Sequence, residues 1–257
     1  MIESGEADRL VLNYGHGFNE PDLEFVRGLP VRQLVILDRR LRSLAPLSAL
    51  GDTLEMLSVV TDPALTIDLA SFPNLTDLSC DWHQVRATVG TAPQLQRLSV
   101  GSYDQADLEP LAELTRLRRL VMMDRPRLRS LSGVQRFTDL RELSVPLANK
   151  LHDVSALRRL ANLESLDLEG CRKLSTIDDL IECVELRQLN LCECGNLASL
   201  APLRGLTALE LLHIYGSTNI TDGDLTPIAA LPRLKELRMM SRRHYNPKVD
   251  EIEACAS

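Results

Sequence analysis

Aromatic side chains are scarce, with one Trp, four Tyr and four Phe in 257 residues. A core built around a few large rings is therefore excluded, and the dominance of leucine points to many small, equivalent slots. Long apolar runs are missing too. No stretch approaches the roughly 18 uninterrupted apolar residues of a membrane-spanning helix. The opening MIESGEADRLVLNYG has no basic segment followed by an apolar one, so no secretory signal is expected. Positive charge is in deficit, 29 Lys and Arg against 36 Asp and Glu for a net charge of −7. That balance argues against a general nucleic-acid partner or an acidic membrane surface, both of which need a cationic face. The six cysteines lack the context of a secreted disulfide scaffold and read as reduced thiols, which leads to the expectation of a cytoplasmic protein.

Catalytic signatures are missing as well. No H-E-x-x-H, P-loop, G-x-G-x-x-G or G-x-S-x-G pattern occurs. His16, His83, His152, His213 and His244 are scattered with no ligand-pairing spacing, and the GHG at Gly15 to Gly17 reads as loop. No enzyme, no cofactor and no metal site is expected. Arg116, Arg118, Arg119, Arg125, Arg127 and Arg129 form a local basic stretch, diluted by Asp124. It reads as a solvated face, with an anion-binding patch as the alternative.

What the chain does have is a repeat. The pattern L-x-x-L-x-L begins at Leu54, Leu75, Leu95, Leu117, Leu140, Leu163, Leu186, Leu209 and Leu234, with a variant at Val31 and a worn copy at Ala7. Successive starts lie 24, 23, 21, 20, 22, 23, 23, 23, 23 and 25 residues apart. Between these copies apolar residues recur every third position, as in Leu174, Ile177, Leu180 and Cys183, which suits a 3₁₀ turn. Pro46, Pro110, Pro202 and Pro227 sit where a first helical turn has no use for an N–H. One such unit leaves both flanks of its apolar side open, and stacking closes them. The expected fold is α/β: a right-handed solenoid with a concave parallel β-sheet and short helical or 3₁₀ turns on the convex side. Residues 1–30 read as a degenerate N-terminal capping repeat, 31–240 as the repeats and 241–257 as a C-terminal cap or tail with a turn at Asn246-Pro247, all one solenoid.

LESLDLEGCRKL (Leu163 to Leu174) and LRQLNLCECGNL (Leu186 to Leu197) resemble the leucine-rich-repeat consensus L-x-x-L-x-L-x-x-N/C-x-L, with Cys171 and Cys194 at the N/C position. Ser217, Arg125 and Ala148 hold that position in other copies, so a continuous asparagine ladder is absent and the bend must satisfy its backbone groups otherwise. The units are similar to the bacterial internalin type, without its signal, helical cap or wall anchor. The resemblance implies a bacterial intracellular module for protein–protein interaction, and it makes cysteine a normal structural occupant of the bend. A zinc site at Cys171, Cys192 and Cys194 is the lesser reading.

Alternation along each strand turns the residues between the leucines toward the concave face. The middle column runs from Val11 through Val35, Ser58, Ser99, Asp167 and His213 to Arg238; the flanks include Leu37, Val60 and Met240. The partner-binding candidates are Met56, Asp77, Asp81, Trp82, His83, Arg97, Tyr103, Arg119, Met123, His213, Tyr215 and Arg238. Arg, Met and aromatic side chains are enriched at interface centres. Trp82 lies in the least regular stretch, where DWHQVRATVG has lost its leucines, and two placements stay open: a rim anchor, or a filler of the gap. The expected function is capture of a protein on the concave face by a monomer, including as an inhibitor or immunity-type protein. The alternative is an assembly component that self-associates through its ends or edges.

Overall fold

The computed structural model describes residues 8–253. Ala7, which opens the worn first copy, the rest of residues 1–7, and Cys255 with the last of the C-terminal tail lie outside the described residues.

Eleven strands form one parallel sheet in sequence order. They are Arg9–Asn13, Gln33–Leu37, Met56–Val60, Asp77–Asp81, Arg97–Gly101, Arg119–Met122, Glu142–Ser144, Ser165–Asp167, Gln188–Asn190, Leu211–Ile214 and Glu236–Met239. Each falls inside one copy of the repeat. The pairing keeps the fourth motif position in line, Leu34 on Leu57, Leu78 on Leu98, Leu120 on Leu143, Leu166 on Leu189 and Leu212 on Leu237. The core is therefore a stack of leucine layers and not one cluster around a centre, and it runs unbroken from Leu12 to Ile252. At about 4.8 Å per strand the sheet is about 50 Å long.

After each strand the chain turns through a bend whose conformation repeats. Ser102, Asp124, Leu147, Gly170, Glu193 and Gly216, each three residues past the mid-strand position, all have positive φ. Only two of the six are glycine. A Cβ on Gly170 would come within 2.7 Å of Leu147 Cδ2, so the exposed Leu147 side chain lies over the bare backbone of the next turn.

Beyond the bend a thiol or hydroxyl takes the place of an asparagine ladder. Cys171 Sγ donates to the Val145 carbonyl (3.5 Å), Cys194 Sγ to Leu168 (3.2 Å) and the Thr218 hydroxyl to Leu191 (2.6 Å). The inward residue of that last turn is Thr218. Ser217, which simple counting puts there, is exposed, although the 23-residue register resumes at once with Asn219 opposite Asn196.

The return path uses 3₁₀ turns, such as Ala45–Leu50, Glu109–Leu111 and Ala201–Gly205, with proline in the first turn as the spacing predicts. Thr226–Ala229 is α-helical instead, also with proline in its first turn. At the far end, Val249–Glu253 is a short helix after Asn246-Pro247, and Tyr245 is buried, its hydroxyl accepting from Ile220 N at 3.0 Å. At the near end, Arg40 pairs with the buried Asp38 (2.7 Å), donates to Phe18 O (2.9 Å) and lies 3.8 Å above the Tyr14 ring, fastening the loop around Gly15 to Gly17.

No helix among the described residues is long and apolar enough to cross a membrane.

Candidate partner-binding face

Strand alternation leaves the side chains between the leucines on the concave side, and the register aligns them from turn to turn. Mid-strand partners run Val11–Val35–Ser58–Ser79–Ser99–Val121–Ser144–Asp167–Asn190–His213–Arg238. Ten of the twelve candidate residues reach this side or its rim with some exposure: Met56, Asp77, Asp81, His83, Arg97, Arg119, Met123, His213, Tyr215 and Arg238.

Trp82 and Tyr103 do not, and both are corrected here to core residues. They are 2% and 1% exposed, with ring centroids 4.7 Å apart, packed where the leucines of DWHQVRATVG are missing. Trp82 is drawn in by a helix start. Asp81 Oδ1 accepts from His83 N (2.9 Å) and Gln84 Oε1 from Asp81 N (3.1 Å), a reciprocal cap that opens the helix Trp82–Val85 at the end of the fourth strand. Gln84 is itself buried and donates to the Thr61 hydroxyl at 2.8 Å. Tyr103 stands four residues past mid-strand Ser99, the inward position that Cys171 and Cys194 occupy in their turns. Its hydroxyl donates to Asp107 O at 2.8 Å. The signals were present in the sequence as D-W-H-Q and as that count of four.

Most charges on the face are matched across neighbouring strands. Arg97 meets Asp77 at 2.7 Å and Arg119 meets Glu142 at 3.3 Å. The Ser144 hydroxyl donates to Asp167 at 2.9 Å. Glu236 receives both His213 (3.0 Å) and Arg238 (2.6 Å), and the His213 hydrogen bond with the Arg238 charge holds its carboxyl below the usual range. His83 sits between Asp81 (2.8 Å) and Asp104 (3.6 Å). Such exposed pairs add little stability and mainly fix the orientation of the groups.

The apolar part of the face lies toward the N-terminal strands. Val11 and Val60 are nearly half exposed (48% and 46%), and Leu37 and Met123 are exposed beside them. Val60, Asp81, Gly101 and Met123 line one slot of about 120 Å³. Gly101 keeps it open, because a Cβ there would stand 2.7 Å from Asp124 Oδ2. A second depression, about 240 Å³, lies on the C-terminal half between Ser165, Gln188, Leu211 and His213. A larger one, about 670 Å³, lies off the sheet beside the two shortest repeats, between Pro63, Ile67, His83 and Thr88. Val11, Leu37 and Val60 were absent from the candidate set although their outward register was readable. Valine and leucine read as core residues until the sheet shows which of them has no layer above it.

The cysteines are arranged for packing. Burial pushes the thiols of Cys80, Cys183 and Cys194 up to about 12. Cys192 is partly exposed, and its sulfur accepts from Tyr215 N at 3.4 Å. No group of three or more His, Cys, Asp or Glu among the described residues could hold a metal ion.

No protein-family model matches the chain, and no curated protein matches it. Its fold is similar to that of an internalin from Listeria monocytogenes, at 20% identity over 86% of this chain and 71% of that one, with a TM-score of 0.62. A leucine-rich-repeat protein of Leptospira interrogans is similar at 16% identity, over 91% and 72% of the two chains, with a TM-score of 0.57. A plant peptide hormone receptor solved as a complex is similar at 13% identity, over 83% of this chain and 48% of that one, with a TM-score of 0.53. At these identities the likeness is one of fold.

Proposed function

We propose that this leucine-rich-repeat solenoid captures a protein partner on its concave sheet and performs no chemistry of its own. The observation that supports the reading most is the exposed apolar group Val11, Leu37, Val60 and Met123, with Leu37 and Val60 in register and Val60 and Met123 on one slot, on a face where most charges are matched in pairs. Apolar groups surrounded by oriented polar ones are the anatomy of an interface core and its rim. The slot beside Gly101 would take one apolar side chain of the partner, the kind of central pocket where binding energy concentrates. Met56, Asp77, Asp81, His83, Arg97 and Arg119 would surround that contact, and Tyr215 with Met240 would form a second, C-terminal one. Structural neighbours include a peptide hormone receptor, which is consistent with this use of the fold. An inhibitor or immunity-type role is one form the proposal takes, since covering a partner's active surface needs nothing beyond an open concave face.

The test is recovery of a partner from the native host with wild-type bait, followed by direct binding measurements on the purified pair. Val60→Asp and Met123→Asp should each weaken binding by tenfold or more while leaving the circular dichroism spectrum unchanged. A partner that binds both variants as it binds the wild type would refute the concave reading. Sedimentation of the protein alone separates this reading from self-assembly, which would show as concentration-dependent oligomers.

A further inference from the structure

Along most of the solenoid the register between turns sets a cation against a carboxylate. Arg32 faces Glu55 at 2.7 Å, Arg97 faces Asp77, Arg119 faces Glu142, Arg158 faces Asp179 at 2.5 Å, and Lys235 faces Glu210 at 2.6 Å. These pairs lie one repeat apart, so the 20- to 25-residue spacing is what brings opposite charges together. Arg97 and Arg119 are themselves in register on neighbouring strands, but each has its carboxylate; one place among the described residues stacks cations without one.

Past the bend of the sixth to eighth turns, Arg127, Lys150 and Lys173 recur at intervals of 23 residues. Beside them Arg129 and His152 are a second such pair, adjacent in space because His152 N donates to Arg129 O at 3.1 Å. All five side chains are exposed, and among the described residues none of them is in an ion pair with a carboxylate. Two acids flank the strip: Asp104, one turn before Arg127 in the same column, accepts from Gln105 Nε2 (2.5 Å) and lies 3.6 Å from His83, and Asp153, beside His152, is turned to the Ser130 hydroxyl (2.7 Å) and Ser155 N (3.0 Å). His152 Nδ1 faces Lys150 O at 3.0 Å. Arg129, Lys150, His152 and Lys173 line a shallow depression of about 260 Å³.

Like charges stacked in register on neighbouring turns repel one another. Between Arg97 and Arg119 that repulsion is offset by Asp77 and Glu142, whereas none of the strip's cations is in an ion pair among the described residues. We propose that this strip docks a short carboxylate-rich segment of a protein, laid along the solenoid axis across three turns. The strip has definite ends: the same column continues as Asn196 and Asn219, which hydrogen-bond to each other at 3.0 Å, and it begins beyond Asp104. Two intervals of about 4.8 Å match about three residues of extended chain. A longer polyanion such as nucleic acid would run off the strip onto a molecule of net charge −7, so the short acidic segment is the better fit. The strip lies off the concave sheet, and this inference does not depend on the function proposed for that face.

The experiment measures fluorescence anisotropy of a labelled octaglutamate peptide with the full chain at about 50 mM salt, where surface charge is weakly screened. Wild type should bind, and Lys150→Glu/Lys173→Glu should weaken binding by tenfold or more. Arg116→Glu/Arg136→Glu, which makes the same change in net charge elsewhere on exposed positions, and Val60→Asp should leave it within twofold. If the reversal variant fails to fold by circular dichroism, Lys150→Gln/Lys173→Gln replaces it, with a loss of threefold or more expected. No binding by wild type, or equal losses in the two double reversals, would overturn the proposal. So would displacement of the peptide by a single-stranded oligonucleotide or by inorganic phosphate at lower concentrations than unlabelled octaglutamate.

Discussion

Trp82 packs its indole against Tyr103 inside the solenoid, and its buried Nε1 has no hydrogen-bond partner among the described residues. Both features set expectations at the scale of one residue. Trp82→Ala should cost about 3–5 kcal/mol in denaturant unfolding, as large-to-small changes of buried aromatics do. Trp82→Phe should cost much less, since the ring position is kept and no hydrogen bond is lost. Fluorescence of this lone tryptophan should be blue-shifted and resistant to acrylamide in the native state. An emission maximum typical of exposed indole would contradict the burial. The same residue shows where sequence reasoning stops. A single Trp in an irregular stretch fits a rim anchor and a gap filler equally well until the capping geometry of Asp81 and Gln84 turns it inward. Cys171 and Cys194, by contrast, were legible as structural from their equivalent places in adjacent turns, although the carbonyls they satisfy were not.

The helix Trp82–Val85 is the element that breaks the rhythm of strand and 3₁₀ turn, and it depends on the Asp81 carboxylate. Partial burial acts to raise the pKa of that carboxyl, and hydrogen bonds from the Ser102 hydroxyl and from His83 outweigh it, so the net shift is downward. A carboxyl held lower in the folded than in the unfolded chain stabilises fully above its unfolded value, about 3.9. That stabilisation is lost as pH falls through the lower, folded value. Wild type should therefore lose more stability than Asp81→Asn between pH 5 and 2.5, with the two converging at the acid end. At neutral pH Asp81→Ala should cost about 1 kcal/mol, the usual worth of an N-cap. Parallel acid limbs for wild type and Asp81→Asn would show that the cap does not titrate in this way. The strands themselves were readable from alternation, and the first-turn prolines located 3₁₀ turns at Pro46, Pro110 and Pro202. This helix was not read, because four residues are too few for a periodic signal.

Viewed whole, the protein is quasi-one-dimensional, each turn meeting only its neighbours in a sheet ordered strictly by sequence. Removing residues 163–185 would place Leu186 where Leu163 stood and restore the same 23-residue register. The shortened chain should fold with an unchanged type of circular dichroism spectrum and a denaturant m-value about one tenth smaller, in proportion to the surface lost. Collapse of the fold on that excision would contradict a stack of locally sufficient turns. The concave face and the basic strip belong to this scale as well, because both are columns assembled from residues one repeat apart.

The beat of the leucines alone determined the strand positions, their parallel order, the alignment of the concave columns and the burial of nearly every leucine in the motif. It could do so because each turn's partners are its nearest neighbours along the chain, so register in sequence becomes register in space. Tertiary structure decided the fate of the side chains that the repeat does not specify: Trp82 and Tyr103 went inward, Val11, Leu37 and Val60 stayed outward, and Arg127, Lys150 and Lys173 stand exposed on one strip. Those outcomes depend on the space and charge presented by the adjoining turn, which a pattern read one repeat at a time does not contain.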